Sequence, residues 1–160
     1  MIEVEIEDDA WAAALPAATA IVNTAALAAL RAGLPEAGAA EQDVVVLLTG
    51  DDAMAELNQG FRDKAGPTNV LSFPAPESAR PHLGDVAVAY GVCSREARDQ
   101  DKRLDHHLMH LVVHGVLHLV GYDHETDTEA EGMEALERRV LAGLGAPDPY
   151  APRMNAADGD

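Results

Sequence analysis

Residues 104–120 carry a histidine at every fourth position, and this run constrains the fold more than any other stretch. His106, His110, His114 and His118 stand four apart, on ground that is otherwise mostly apolar: Val112, Val113, Val116, Leu117, Leu119 and Val120. On an α-helix each four-residue step turns about 400° and rises about 6 Å, so neighbouring histidines share a face. The drift of about 40° per step keeps all four from converging on one point. The spacing predicts a helix over 104–120, with Gly121 able to stop it in a left-handed conformation and turn the chain back. His124 can then come round to His114 and His118. The full stretch, residues 114–124, is H-G-V-L-H-L-V-G-Y-D-H.

Three neutral imidazoles from His114, His118 and His124 would hold one metal ion and leave a coordination position open, as catalytic rather than structural zinc sites do. Without a metal, three imidazoles on apolar ground need other hydrogen-bond partners. The single cysteine, Cys93, excludes an intramolecular disulfide and a Cys-rich zinc module, and suits a reducing compartment such as the cytoplasm. By spacing alone the run resembles the metzincin proteases, whose first histidine is followed by the glutamate that serves as general base. Gly115 stands at that position here and has no side chain for the task, which argues against a peptidase.

The rest of the chain supplies a sheet and its covering helices. Met1 to Glu7 alternates apolar and acidic residues in a half-buried strand pattern. An Ala-rich stretch without charges, residues 10–30, predicts a mostly buried helix from Pro16 to Gly33. Alanine, Pro16 and the polar Thr19, Asn23 and Thr24 make it a poor membrane span, and the acids before it make it a poor export signal. Strands are expected at 44–48, 70–73 and 83–90, and helices at 51–60, 92–103 and 129–144. The last helix places Met133, Leu136, Val140 and Leu144 on one side. The order is β-α-β-α-β-β-α-α-α: an α+β single domain over 1–145, a small mixed sheet packed with helices, with a zincin-like metal helix. Residues 146–160, with three prolines among small and acidic residues, are expected to form a flexible tail.

Net charge is −17 over 160 residues, which at first argues against a nucleic-acid partner. The charge is uneven. Residues 1–56 carry −10, residues 57–110 balance to 0, and residues 111–160 carry −7. Seven of the eleven basic residues lie in the middle third: Arg62, Lys64, Arg80, Arg95, Arg98, Lys102 and Arg103. These are either a solvated mixed surface or one face that RNA phosphates tolerate.

The histidine run is similar to the signature of the YbeY family, bacterial single-zinc endoribonucleases of ribosomal RNA maturation. Further family-like segments follow in order: L-N-x-x-F-R at 57–62, P-T-N-V-L-S-F-P at 67–74, L-G-D-V-A-V at 83–88 and E-A-L-E at 134–137. The resemblance covers about residues 44–150. Ala65 and Gly66 depart from the Asp and Lys that the family often has there. The resemblance implies one Zn2+ per chain on His114, His118 and His124, and a functional arginine at Arg62. It implies single-stranded RNA as substrate, notably the 3′ end of small-subunit ribosomal RNA, and a role in ribosome quality control. It also implies a cytoplasmic protein that partners the small subunit or ribosome-associated proteins, with neither membrane nor DNA involved. A guanidinium suits phosphate oxygens, although Arg62 could instead pair with Asp63 or Asp85. Asp85 could orient a ligand histidine or Arg62, or cap a turn. Thr68 and Ser72 read as structural, His110 as a partner of the metal site, and His106 and His107 as surface residues. Asp123 could reach a metal-bound water. The competing readings are a zinc-dependent peptidase-like hydrolase and a non-enzymatic ribosome assembly factor with structural zinc.

Overall fold

The computed structural model describes residues 1–34 and 41–151. Four strands form one mixed sheet in the order β1-β2-β4-β3. Strands β1 (Ile2–Ile6), β2 (Asp43–Thr49) and β4 (His82–Ala89) run parallel, and β3 (Val70–Pro74) joins the edge antiparallel to β4. The α+β class and the mixed sheet are as expected from the sequence.

The larger core lies on one face of this sheet. There Val44, Val46, Leu48, Val86 and Val88 meet α2 (Ala18–Gly33), α5 (Leu104–Leu119) and α6 (Asp127–Gly143). The buried alanines of α2, at 18, 25, 26 and 29, are small enough to let it lie close along α5. The opposite face is covered by α3 (Asp51–Arg62) through Met54 and Leu57, against Leu47, Leu71, Phe73, Ala87 and Ala89. Strand β4 is therefore buried on both faces, which is why its residues 86–89 form a continuous apolar run.

Three expectations change. The single helix expected after β1 is preceded by a separate short one, α1 (Asp9–Ala14), because Asp8 caps a new turn by accepting from Ala10 N at 2.9 Å. Pro16 then stands between α1 and α2, where its missing N–H does no harm. Trp11 of α1 is fully buried and its indole donates to Thr49 O at 3.0 Å, which ties the start of the chain to β2. The polar helix expected at 92–103 is α4 (Tyr90–Asp99), and it stops where Asp101 takes a positive φ of 58°. The last helix starts two residues early on a capping box between Thr126 and Glu129.

The tail meets α5 and α6 as far as it is described. Ala146 is buried, Lys102 Nζ donates to Pro149 O at 3.0 Å, and Tyr150 reaches Glu137. The rest of the expected tail lies outside the described residues. Among the described residues no helix is long and apolar enough to cross a membrane.

Candidate metal centre

The site forms where α5 ends against the free edge of the sheet. Val120 closes the helix, and Gly121 N donates to His118 O at 3.1 Å while Tyr122 N donates to Leu117 O at 3.0 Å. This bond pair is a Schellman motif, and it needs the positive φ of 108° that Gly121 adopts. The reversal carries His124 back over α5. Asp123 Oδ1 accepts the His124 backbone N–H at 2.7 Å, which holds the turn.

The three expected ligands converge. His114, His118 and His124 each offer a ring nitrogen, and those atoms all lie within 4.8 Å of one another. Ring centroids are 4.9 Å apart for His114–His118, 5.0 Å for His118–His124 and 5.6 Å for His114–His124. Burial pushes the His118 pKa down, and the nearby His114 and His124 push it the same way. The neutral form of His118 is thereby favoured, and neutral imidazole is the form that ligates a metal.

Glu137 is the residue that the sequence reading missed. Its side chain, from the middle of α6, is fully buried. Its Oε2 accepts from His114 Nδ1 at 2.6 Å, and its Oε1 accepts from His110 Nε2 at 3.2 Å and from the Tyr150 hydroxyl. Burial alone would raise the carboxyl pKa; the hydrogen bonds from His110, His114 and Tyr150 outweigh it and hold it at about 2. An ionised carboxylate on Nδ1 fixes the proton there, leaving Nε2 of His114 as the free donor atom. Carboxylate partners of this kind orient and strengthen metal-ligating histidines. The donor set therefore fits a divalent metal of the imidazole-preferring kind. His110 shares Glu137 with His114 and so reaches the site through that carboxylate.

A cleft of about 380 Å³ opens beside the histidines, lined also by Arg62, Thr68, Asn69, Val70, Leu71 and Ser72. Arg62 comes from the last turn of α3, which Asp63 ends with a positive φ of 52°. Neither carboxylate considered as its partner is turned to it. Asp63 accepts from Gln59 Nε2 at 3.0 Å, and Asp85 is paired with His82 Nε2 at 3.0 Å. Asp85 thus serves neither Arg62 nor a ligand histidine. Ser72 is structural, its hydroxyl donating to Gly115 O at 2.9 Å. The described lining residues include no carboxylate, and Asp123 is not one of them.

Gly115 has a packing reason. It is buried against the sheet, and a Cβ there would stand 2.6 Å from Val86 Cγ1 and 3.2 Å from Ser72 Oγ. Position 115 faces the strands, so a glutamate there would have to displace the Val86 side chain before it could serve as a base. His107 also departs from expectation: it is buried, not on the surface, and bonds Glu96 Oε1 through Nε2 at 2.9 Å.

The sequence profile of Endoribonuclease YbeY matches residues 6–145. The chain belongs to the YbeY endoribonuclease family. It is 50% identical over 160 residues to Endoribonuclease YbeY of Rhodopseudomonas palustris strain HaA2, covering 93% of this chain and 80% of that one. The corresponding protein of Maricaulis maris is 52% identical over 149 residues, covering 93% and 91%. Among solved structures, TM1509 from Thermotoga maritima matches with a TM-score of 0.60 and 25% identity, over 95% of this chain and all of that one. The family name denotes hydrolases that cut RNA internally.

Proposed function

We propose that this protein is a zinc-dependent, single-strand-specific endoribonuclease that matures the 3′ end of small-subunit ribosomal RNA and serves ribosome quality control in the cytoplasm. The observation that carries the reading is the convergence on a single cleft of three imidazoles and one arginine that has no carboxylate partner among the described residues. Family membership supplies the substrate class.

Hydrolysis of a phosphodiester needs an electrophile on a phosphoryl oxygen, an activated nucleophile and neutralisation of developing negative charge. His114, His118 and His124 would hold one zinc ion, which would supply Lewis acidity and would bring the pKa of water towards about 7. Arg62 binds the non-bridging phosphate oxygens, and a planar guanidinium can do so through two parallel hydrogen bonds. Glu137 keeps the His114 proton on Nδ1 and the ring in place. A protein carboxylate need not take the nucleophile's proton, which agrees with a described lining that holds none.

The peptidase alternative loses its support, since position 115 is packed against Val86. A structural zinc in an assembly factor would have no need of an open cleft with an arginine on its wall. The −17 charge predicts weak, salt-sensitive binding to naked RNA, with docking through ribosomal components. The test is Arg62→Ala on single-stranded ribosomal RNA: cleavage should fall about 100-fold or more while zinc content stays the same. Unchanged cleavage by this variant would remove Arg62 from the reaction.

A further inference from the structure

Phe61 is one of two phenylalanines in the chain, and it is 70% exposed. Its ring stands edge-on to Phe73, with centroids 4.8 Å apart and planes at 62°. Phe73 packs against the smaller apolar cluster on the α3 face, so it anchors the pair from below. The arrangement holds the Phe61 ring in place while leaving most of its surface to solvent.

The position of this ring gives it a use. Arg62 and Ser72 line the metal-centre cleft, and their chain neighbours Phe61 and Phe73 lie across edge strand β3 on the α3 face, so an RNA strand that leaves the cleft over this rim reaches the Phe61 ring next. Strand β3 is the edge of the sheet, and no further strand among the described residues covers this rim. The charge is also favourable. Arg62 and Lys64 outnumber Asp63 between residues 60 and 69, in a chain whose net charge is −17.

We infer that Phe61 is a stacking platform for one unpaired nucleobase of the RNA, adjacent to the phosphate held by Arg62; this rests on the endoribonuclease reading above. A base can lie on an exposed ring only when it is out of a duplex, which gives single-strand preference a physical source. Every base has a π-face, so this position should show little sequence preference. The ring touches neither the three histidines nor the reacting phosphate, so it acts on binding rather than on the chemical step.

The experiment uses the zinc-loaded protein and a single-stranded oligoribonucleotide in which 2-aminopurine is moved through successive positions. Three proteins are compared: wild type, Phe61→Leu and Phe61→Trp. At one position the wild type should quench the 2-aminopurine fluorescence, and Phe61→Leu should abolish that quenching. Phe61→Leu should raise KM about 5- to 30-fold with kcat unchanged, the low part of the range for base–aromatic stacking. Phe61→Trp should restore both. The exposed position and the retained apolar side chain leave folding intact, which matching melting curves verify. If the wild type cuts the oligomer and Phe61→Leu equals it in KM and quenching, the stacking site is wrong and the nuclease stands. If that unchanged variant also loses self-association in sedimentation, Phe61 belongs to a protein contact instead. If the wild type itself fails to cut, the endoribonuclease reading falls and takes this inference with it.

Discussion

Helix α5 carries two groups of histidines, and they end in different chemistry. In its first half, His107 and His110 are each tied to a carboxylate, Glu96 and Glu137. In its last turns, His114 and His118 face His124, and among the described residues only His114 of the three bonds a carboxylate. What separates the groups is what the neighbouring elements bring: α4 and α6 bring acids to the first, and the turn at Gly121 brings a third imidazole to the second. Spacing places histidines on a face, but the opposing element decides whether they become ion pairs or ligands. Glu137 is the link, since it touches one member of each group.

The comparison predicts a graded series in metal affinity. His118→Ala removes one of three ligands and should cost more than the roughly 100-fold carried by an outer partner. Competition against a chelator of known affinity measures it, and retention of tight binding would dissolve the distinction between the two groups.

Glu137→Gln keeps the shape and removes the charge, and should weaken metal binding about 10- to 100-fold. The same variant has a pH signature. The Glu137 pKa in the folded protein, about 2, lies below its ordinary 4.5. Its contribution to stability is therefore present above about 4.5 and lost as pH falls through about 2. Urea midpoints of metal-stripped wild type should drop across that window, and those of Glu137→Gln should drop less. Equal slopes would mean that the carboxylate is not held as the geometry shows.

Tyr150→Phe deletes one hydrogen bond to the Glu137 carboxylate, and should lower metal affinity by about fivefold at most. At the end of the series stands His107→Gln, which should leave metal affinity unchanged. It should still lower stability by about 1–3 kcal/mol, because the buried bond to Glu96 is disturbed. A loss of metal binding in that variant would place His107 with the ligands and break the comparison.

These differences also explain what was legible in the sequence. The turn at Gly121 and the return of His124 were readable because a glycine after an apolar helical run is local chemistry. The strands were readable from their apolar runs, to within a residue or two at each end. Glu137 was hidden in an acidic helix where charge reads as a solvated face. Its signal was positional: it stands four residues after Met133 and three before Val140, inside the apolar stripe. His107 was misjudged for a similar reason, since Glu96 approaches it from another helix. The separate helix α1 depends on the side chain of Asp8 capping a turn ahead of Pro16, which a charge-free alanine run conceals. Gly115 was read through its missing function, whereas the reason for glycine there is the approach of α5 to Val86.

The central claim is that the three-histidine cleft cuts RNA only with its metal in place. The direct measurement strips the protein with a chelator and titrates zinc back while following cleavage of a single-stranded oligomer from the 3′ end of small-subunit ribosomal RNA. Cleavage should rise with added zinc and level off at one equivalent per chain, and His118→Ala should stay inactive throughout. Cleavage that is equal with and without metal, or that persists in His118→Ala, would contradict the account.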